Sequence, residues 1–328
     1  MTHTNPFREW IDLAQPRLGG QVISASDDFF APKERLIDPK SPVFIPDKYD
    51  DHGKWMDGWE SRRKRTPGHD FCVVKLGVPG FIRGVNIDTS HFTGNYPPGA
   101  SLEACFAPEG PNENTRWLEI LEKQALAGNT HHYHAIQSPE LVTHVRLHIY
   151  PDGGVARLRI YGEVACDWTN FDASTQIDLL ALKYGGRALC CNDEHFGSMH
   201  NLNIPVPGTD MGDGWETRRR REPGNDWVIM KLGRPGCVEQ VEVNTAYFKG
   251  NYPDRVSIEG TLPGDNAILD TATWHTILPE SKLEADCVHV FSDNICKHSA
   301  ISHIRMNIFP DGGVSRLKLF GHIQSTKT

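Results

Sequence analysis

The chain has 328 residues, enough for about two domains, and carries a formal net charge of −8 from 34 Lys and Arg against 42 Asp and Glu. That acidic balance argues against a nucleic-acid-binding protein, whose electrostatic footprint would be basic. No apolar run approaches the roughly 20 residues needed to span a bilayer, and the opening Met1 to Trp10 lacks the apolar segment of a signal peptide.

From the N-terminus, the pattern predicts a short helix over Arg8 to Ala14, stopped at Gly19-Gly20. Short β runs are then predicted at residues 71–76, 84–89, 116–121, 144–149 and 156–161. Gly, Pro, Asn and Asp punctuate them, and several alternate apolar with polar. A second helical stretch, Gln176 to Leu182, meets Gly185-Gly186, and all five β runs then recur.

The recurrence is an internal repeat. Asp57-Gly-Trp-Glu60 returns as Asp213-Gly-Trp-Glu216, and the arginine runs Arg62 to Arg65 and Arg218 to Arg221 follow them. Gly94-Asn-Tyr-Pro97 returns as Gly250-Asn-Tyr-Pro253, and Pro151-Asp-Gly-Gly154 as Pro310-Asp-Gly-Gly313. The units expected are residues 5–166 and 169–328. Asp27 matches Asp193 at a shift of 166, whereas Asp57 matches Asp213 at 156. Unit one therefore carries about ten extra residues between Phe30 and Asp57, expected as an elaborated surface loop. Many short strands favour sandwiches over parallel α/β, and a double-sheet jelly roll limits exposed edges. The fold expected is all-β, a tandem repeat of two jelly-roll β-sandwiches, each preceded by a short helix.

The eight cysteines do not follow the repeat: Cys72 stands opposite Val228, Cys105 opposite Thr261 and Cys237 opposite Phe81. A disulfide framework would have been copied with the fold, so they are expected as reduced, buried hydrophobes in a cytoplasmic protein. The arginine runs are either solvated loops or a clamp for a small anion.

Two resemblances follow from these motifs. Asp226-Trp-Val-Ile-Met-Lys-Leu-Gly233 and His144-Val-Arg-Leu-His-Ile-Tyr-Pro151 look like strands of discoidin-like, galactose-binding-like jelly rolls. More specifically, the chain resembles the allantoicase family over nearly its whole length. The carriers are Ser26-Asp-Asp-Phe-Phe-Ala-Pro-Lys-Glu34, Asp57-Gly-Trp-Glu60, His91-Phe-Thr-Gly-Asn-Tyr-Pro97, Tyr150-Pro-Asp-Gly-Gly154, Asn192-Asp-Glu-His-Phe-Gly197 and Met211-Gly-Asp-Gly-Trp-Glu216, in this order. The resemblance implies cleavage of allantoate to ureidoglycolate and urea. That reaction needs an acid, a base, a cationic clamp for the carboxylate, and groups that read the urea arms.

Glu60 and Glu216 are the acid–base candidates, or else structural acceptors holding the arginine loop. Arg62, Arg63, Arg218 and Arg219 are clamp candidates, with one of each adjacent pair facing ligand because neighbouring extended residues point opposite ways. His91 stands opposite Tyr247, and His195 opposite Phe29. These asymmetric histidines are catalytic candidates and favour one functional pocket. Asn95, Tyr96, Asn251 and Tyr252 belong to turn motifs and are candidates for reading ureido groups. His132 and His134 would share a strand face, permissive for a metal, but no nearby carboxylate pattern completes a ligand set there; Asp27-Asp28 and Asp193-Glu194 are other possible divalent sites. No cofactor is expected to be required, and a divalent metal is left open. The partner expected is allantoate, without nucleic acid or membrane; homo-oligomerisation is left open. The competing reading is a non-catalytic tandem jelly-roll binding protein, a class usually secreted and disulfide-tied.

Overall fold

The computed structural model describes residues 5–172, 174–263 and 271–324. The chain divides between Ala165 and Cys166 into two compact units, each an all-β jelly roll. In unit one the strands are β1 (Ile11–Asp12), β2 (Gln21–Ala25), a small hairpin β3 (Tyr49–Asp50) and β4 (Gly53–Lys54), β5 (Trp59–Glu60) and β6 (Asp70–Asp88). They continue with β7 (Gly99–Cys105), β8 (Leu118–Ala125), β9 (His131–Ala135), β10 (Leu141–Tyr150), β11 (Gly154–Val155) and β12 (Arg157–Val164). The main sheet runs β1-β12-β6-β10-β7-β8, with β2 and β9 also on β6.

Unit two repeats this plan. Its strands are β13 (Ile177–Asp178), β14 (Arg187–Cys191), β15 (Trp215–Glu216), β16 (Asp226–Asn244), β17 (Arg255–Thr261), β18 (His275–Lys282), β19 (Val288–Phe291), β20 (Ile301–Phe309), β21 (Gly313–Val314) and β22 (Arg316–Ile323). The order is β13-β22-β16-β20-β17-β18, with β14 and β19 on β16.

Period-2 patterning explains the burial. On β10, Val145, Leu147 and Ile149 are fully buried, while Arg146 and His148 face the other way. On β20 the buried set is Ile304, Met306 and Ile308. The β runs predicted at residues 71–76 and 84–89 are one strand, β6. Its first half pairs with β2 and β10, and its second half pairs mainly with β12 and β9. The Gly77-Val-Pro-Gly80 segment carries the backbone through the corner as extended chain, so a sequence break becomes a change of neighbours.

The short helix lies later than expected. Residues 8–14 form turns and strand β1, and the helical piece is a single 3-10 turn at Pro16–Leu18. Asp12 decides this, because its side chain accepts the N–H groups of Ala14 and Ile160 and ties the segment to β12. Asp178 does the same for Leu180 and Leu319, ahead of a 3-10 turn at Leu182–Tyr184.

None of the eight cysteines forms a disulfide. Only Cys72 and Cys105 are buried, and Cys190 is exposed, which narrows the buried-hydrophobe expectation to two positions. Burial pushes the Cys105 thiol up to about 11, away from thiolate chemistry. Among the described residues, no helix is long and apolar enough to cross a membrane.

Candidate active site

The repeated motifs, scattered along the sequence, meet at one carboxylate in each unit. Strand β5 is only two residues long, and Glu60 pairs with Gly154 on β11 and with Ala31 across an isolated bridge. Gly154 in turn donates its N–H to the Asn95 carbonyl at 2.7 Å. The Asn95 side-chain amide donates to Glu60 Oε1 at 2.8 Å. Close packing explains the two glycines of the Pro-Asp-Gly-Gly turn. Gly153 sits at φ 138°, and a Cβ on Gly154 would come within 2.0 Å of the Phe92 ring. Asp152 accepts the Lys64 N–H at 2.7 Å and so anchors the basic loop.

Glu60 is 9% exposed. Burial pushes its carboxyl above the usual carboxylate range, against the Asn95 hydrogen bond, which favours the charged form. Trp59 beside it is fully buried and donates its indole N–H to the Asp27 carbonyl at 2.8 Å. Unit two reproduces the arrangement: Glu216 pairs with Gly313, Asn251 donates to Glu216 Oε1, and Trp215 donates to the Asp193 carbonyl at 2.9 Å. Glu216 is only partly buried.

The two arginines of each pair have different partners. Arg62 donates from its backbone and from Nε to Asp27, at 2.9 and 2.7 Å, and Arg218 does the same to Asp193, at 2.9 and 2.8 Å. Desolvation would raise the Asp27 carboxyl, but the hydrogen bonds from Arg62 outweigh it and hold the group below its ordinary value. Arg63 and Arg219 are exposed and have no hydrogen bond or ion pair among the described residues. The first arginine of each pair ties the loop to the unit; the second keeps its guanidinium for something else.

Each carboxylate lines a cavity, and the two cavities have matching bases, each within its own unit. In unit one, Phe30, Glu60 and Asn95 line about 390 Å³; in unit two, the repeat-matched Phe196, Glu216 and Asn251 line about 620 Å³. The walls differ. Unit one adds Phe44, His52, Lys54 and Met56, all from the stretch that holds its extra residues, together with His91. The expected surface loop is therefore a cavity wall. Phe44 stacks on His91, with ring centroids 5.8 Å apart, and His91 donates from Nε2 to the Pro42 carbonyl at 3.2 Å. A carbonyl can only accept, so in the neutral ring Nδ1 is the free acceptor. Lys54 lies over the Phe44 and Tyr49 rings.

Buried Arg157 holds this wall in place. It donates to the carbonyls of Lys40 and Asp57 at 2.9 and 3.1 Å and pairs with the Asp57 carboxylate at 2.9 Å. Asp57 also accepts the Val43 N–H at 2.9 Å.

His195 is exposed, packs edge-on against Phe196 and does not line the cavity of its unit. Tyr252 lines that cavity, whereas Tyr96 packs beneath the other one against Met56, Phe92 and Ala156. His132 accepts the Ala127 N–H and donates to the Ile87 carbonyl, and His289 repeats this with Glu284 and Val243. Both histidines therefore hold strands, which leaves His132 no nitrogen for a metal. Asp28 pairs with Lys33, and Glu194 accepts from Ser198 and Met199. Among the described residues, no group of three His, Cys, Asp or Glu is arranged to hold a metal ion. Sequence reasoning missed Phe30, Phe44, His52 and Lys54; the one available signal was that the insertion lies between two repeated motifs.

The family model described as the allantoicase repeat matches residues 11–165 and again 177–324. A protein named probable allantoicase 1 from Burkholderia mallei is 54% identical over 319 residues, covering 96% of this chain and 95% of its own. A probable allantoicase from Stutzerimonas stutzeri is also 54% identical, over 97% of this chain and 98% of its own. The crystal structure of the Saccharomyces cerevisiae allantoicase superposes with a TM-score of 0.81 at 38% identity, covering 95% of this chain and 93% of that one. The chain belongs to the allantoicase family.

Proposed function

We propose that the unit-one cavity carries the hydrolysis of allantoate to ureidoglycolate and urea, with Glu60 moving the proton. Allantoate has a central carbon bearing a carboxylate and two ureido groups, and releasing urea breaks one C–N bond at that carbon. Protonated Glu60 gives its proton to the departing ureido nitrogen while the lone pair of the retained one forms a C=N bond. Water then adds to that carbon, and its proton returns to the Glu60 carboxylate. One group serves as acid and then as base, so protons and charge balance over the cycle.

The observation that carries this reading is the burial of Glu60 inside a cavity, which raises its affinity for a proton. Asn95 commits its amide N–H to Glu60, leaving its side-chain oxygen to accept a ureido N–H. His91 offers Nδ1 as a second acceptor. Arg63 does not line the unit-one cavity itself; its exposed guanidinium has no acceptor among the described residues, and it reaches in to hold the substrate carboxylate, as the position of its repeat counterpart Arg219 beside Glu216 suggests. Losing a charge-assisted bidentate pair costs about 1.5–3 kcal/mol. Arg63→Ala is therefore expected to raise KM for allantoate by roughly 10- to 100-fold with kcat little changed, while Arg62→Ala acts through the Asp27 loop instead. Steady-state kinetics on both variants checks this assignment.

The reaction itself is tested by urea release from allantoate before and after treatment with a chelator. The expected result is urea plus ureidoglycolate at an unchanged rate. Activity abolished by the chelator and restored by Mn²⁺ or Zn²⁺ would overturn a mechanism run by these side chains alone. No urea under either condition would leave a tandem binding protein. We place the activity in the cytoplasm, a reading supported by eight cysteines none of which forms a disulfide.

A further inference from the structure

The cavity of unit two has the base of an allantoate site without its wall. Tyr247 takes the position of His91 and does not line the cavity, and nothing corresponds to the Phe44, His52 and Lys54 wall. Beside Glu216 and Asn251 it presents Thr217, Tyr252 and Arg219. The neighbouring charges are already engaged. Arg220 pairs with Asp226 at 2.6 Å, Asp311 accepts the Arg220 N–H at 2.8 Å, and Asp254 holds Arg255 and Lys282. Arg219 is the lining cation with no acceptor among the described residues.

We propose that this cavity is a second site for small ureido carboxylates, which it binds and does not turn over; the proposal rests on the reading that places the reaction at Glu60. A guanidinium without an acceptor is complementary to a carboxylate. The free oxygen of Glu216 accepts ureido N–H groups, and the Asn251 side-chain oxygen accepts another. What the site lacks is the unit-one surroundings of its carboxylate: Glu216 is only partly buried, and the cavity is larger and has no counterpart of Phe44, His52 and Lys54. Duplication would thus have left one recognition base in two settings, one with its carboxylate buried for chemistry and one with it partly exposed for binding. A ligand held there favours the folded state of unit two by mass action, so substrate or product would stabilise the enzyme.

The test uses ureidoacetate, a carboxylate with one ureido group and no second nitrogen to push out a leaving group. Calorimetric titration of the full-length chain is expected to give two equivalents per chain, falling to one in Arg219→Ala. Arg219→Lys, which keeps the charge and loses the planar fork, is expected to keep the second equivalent at about tenfold or more weaker affinity. One equivalent or none in the wild type, or two that survive Arg219→Ala, overturns the proposal. Urea release by Glu60→Gln is read separately. Full activity there would refute the reaction at Glu60, whatever the count of ureidoacetate sites.

Discussion

Glu60→Gln is expected to lower kcat by roughly 10²- to 10⁴-fold, the usual contribution of a positioned acid–base group, with KM changed only a few-fold. Gln keeps the oxygen that accepts from Asn95 and fills the same space beside Trp59, so only the proton is lost. The pH profile carries the sign. Burial holds the Glu60 carboxyl above its ordinary value of 4.5, and the first step needs the protonated form. The kcat/KM of the wild type should therefore fall as pH rises through that raised value, and the limb should vanish in the variant.

Stability moves the same way with pH. Between the ordinary and the raised value the folded protein binds more protons than the unfolded chain, so stability falls as pH rises through that window. Above it, the buried carboxylate is a standing cost. At neutral pH, Glu60→Gln should therefore be at least as stable as the wild type by urea denaturation. If the variant loses stability together with activity, Glu60 is a structural acceptor of the loop and the proton assignment fails.

Arg157→Met is the second large effect. Arg157 is 2% exposed and its partner Asp57 is largely buried. Removing one member of a buried pair typically costs about 3–5 kcal/mol, because the other charge is left unmatched. Unit two has the same device in Arg316, which pairs with Asp213 at 3.0 Å and donates to the Val206 carbonyl at 2.9 Å. Arg316→Met should cost a similar amount in its own unit. Kinetics separates the two. Arg157 fixes Lys40 and Asp57, the two ends of the segment that carries Phe44 and Lys54, so Arg157→Met should also raise KM for allantoate. Arg316→Met leaves that wall in place. Equal KM values for the two variants would show that the insertion does not shape the allantoate site.

Much of the fold was legible because its signals are local. Alternation on His144-Val-Arg-Leu-His-Ile149 marks a half-buried strand whatever its partners, and the repeat doubles each such signal. Glu60 and Asn95 were legible for the same reason, since both sit in motifs that occur twice. The helix at Arg8 to Ala14 was misplaced because the hydrogen bonds that decide it come from Asp12 to a strand at the far end of the unit. Strands predicted at residues 71–76 and 84–89 merged because Gly77 and Gly80 break the apolar pattern without breaking the backbone direction.

By itself, the sequence determined the two-unit all-β plan, the duplicated Glu, Asn and Arg motifs, and the family to which they belong. Only the tertiary structure decided which arginine of each pair is spent on Asp27 or Asp193, that His91 shares a cavity with Glu60 while His195 faces solvent, and that Tyr96 lies beneath its cavity while Tyr252 lines the other. The insertion shows why. Nothing local in Lys40-Ser-Pro-Val-Phe-Ile-Pro46 says which way it folds. Its course is set by a buried guanidinium on β12 and an imidazole that follows β6, groups remote in sequence that only the closed sandwich brings together.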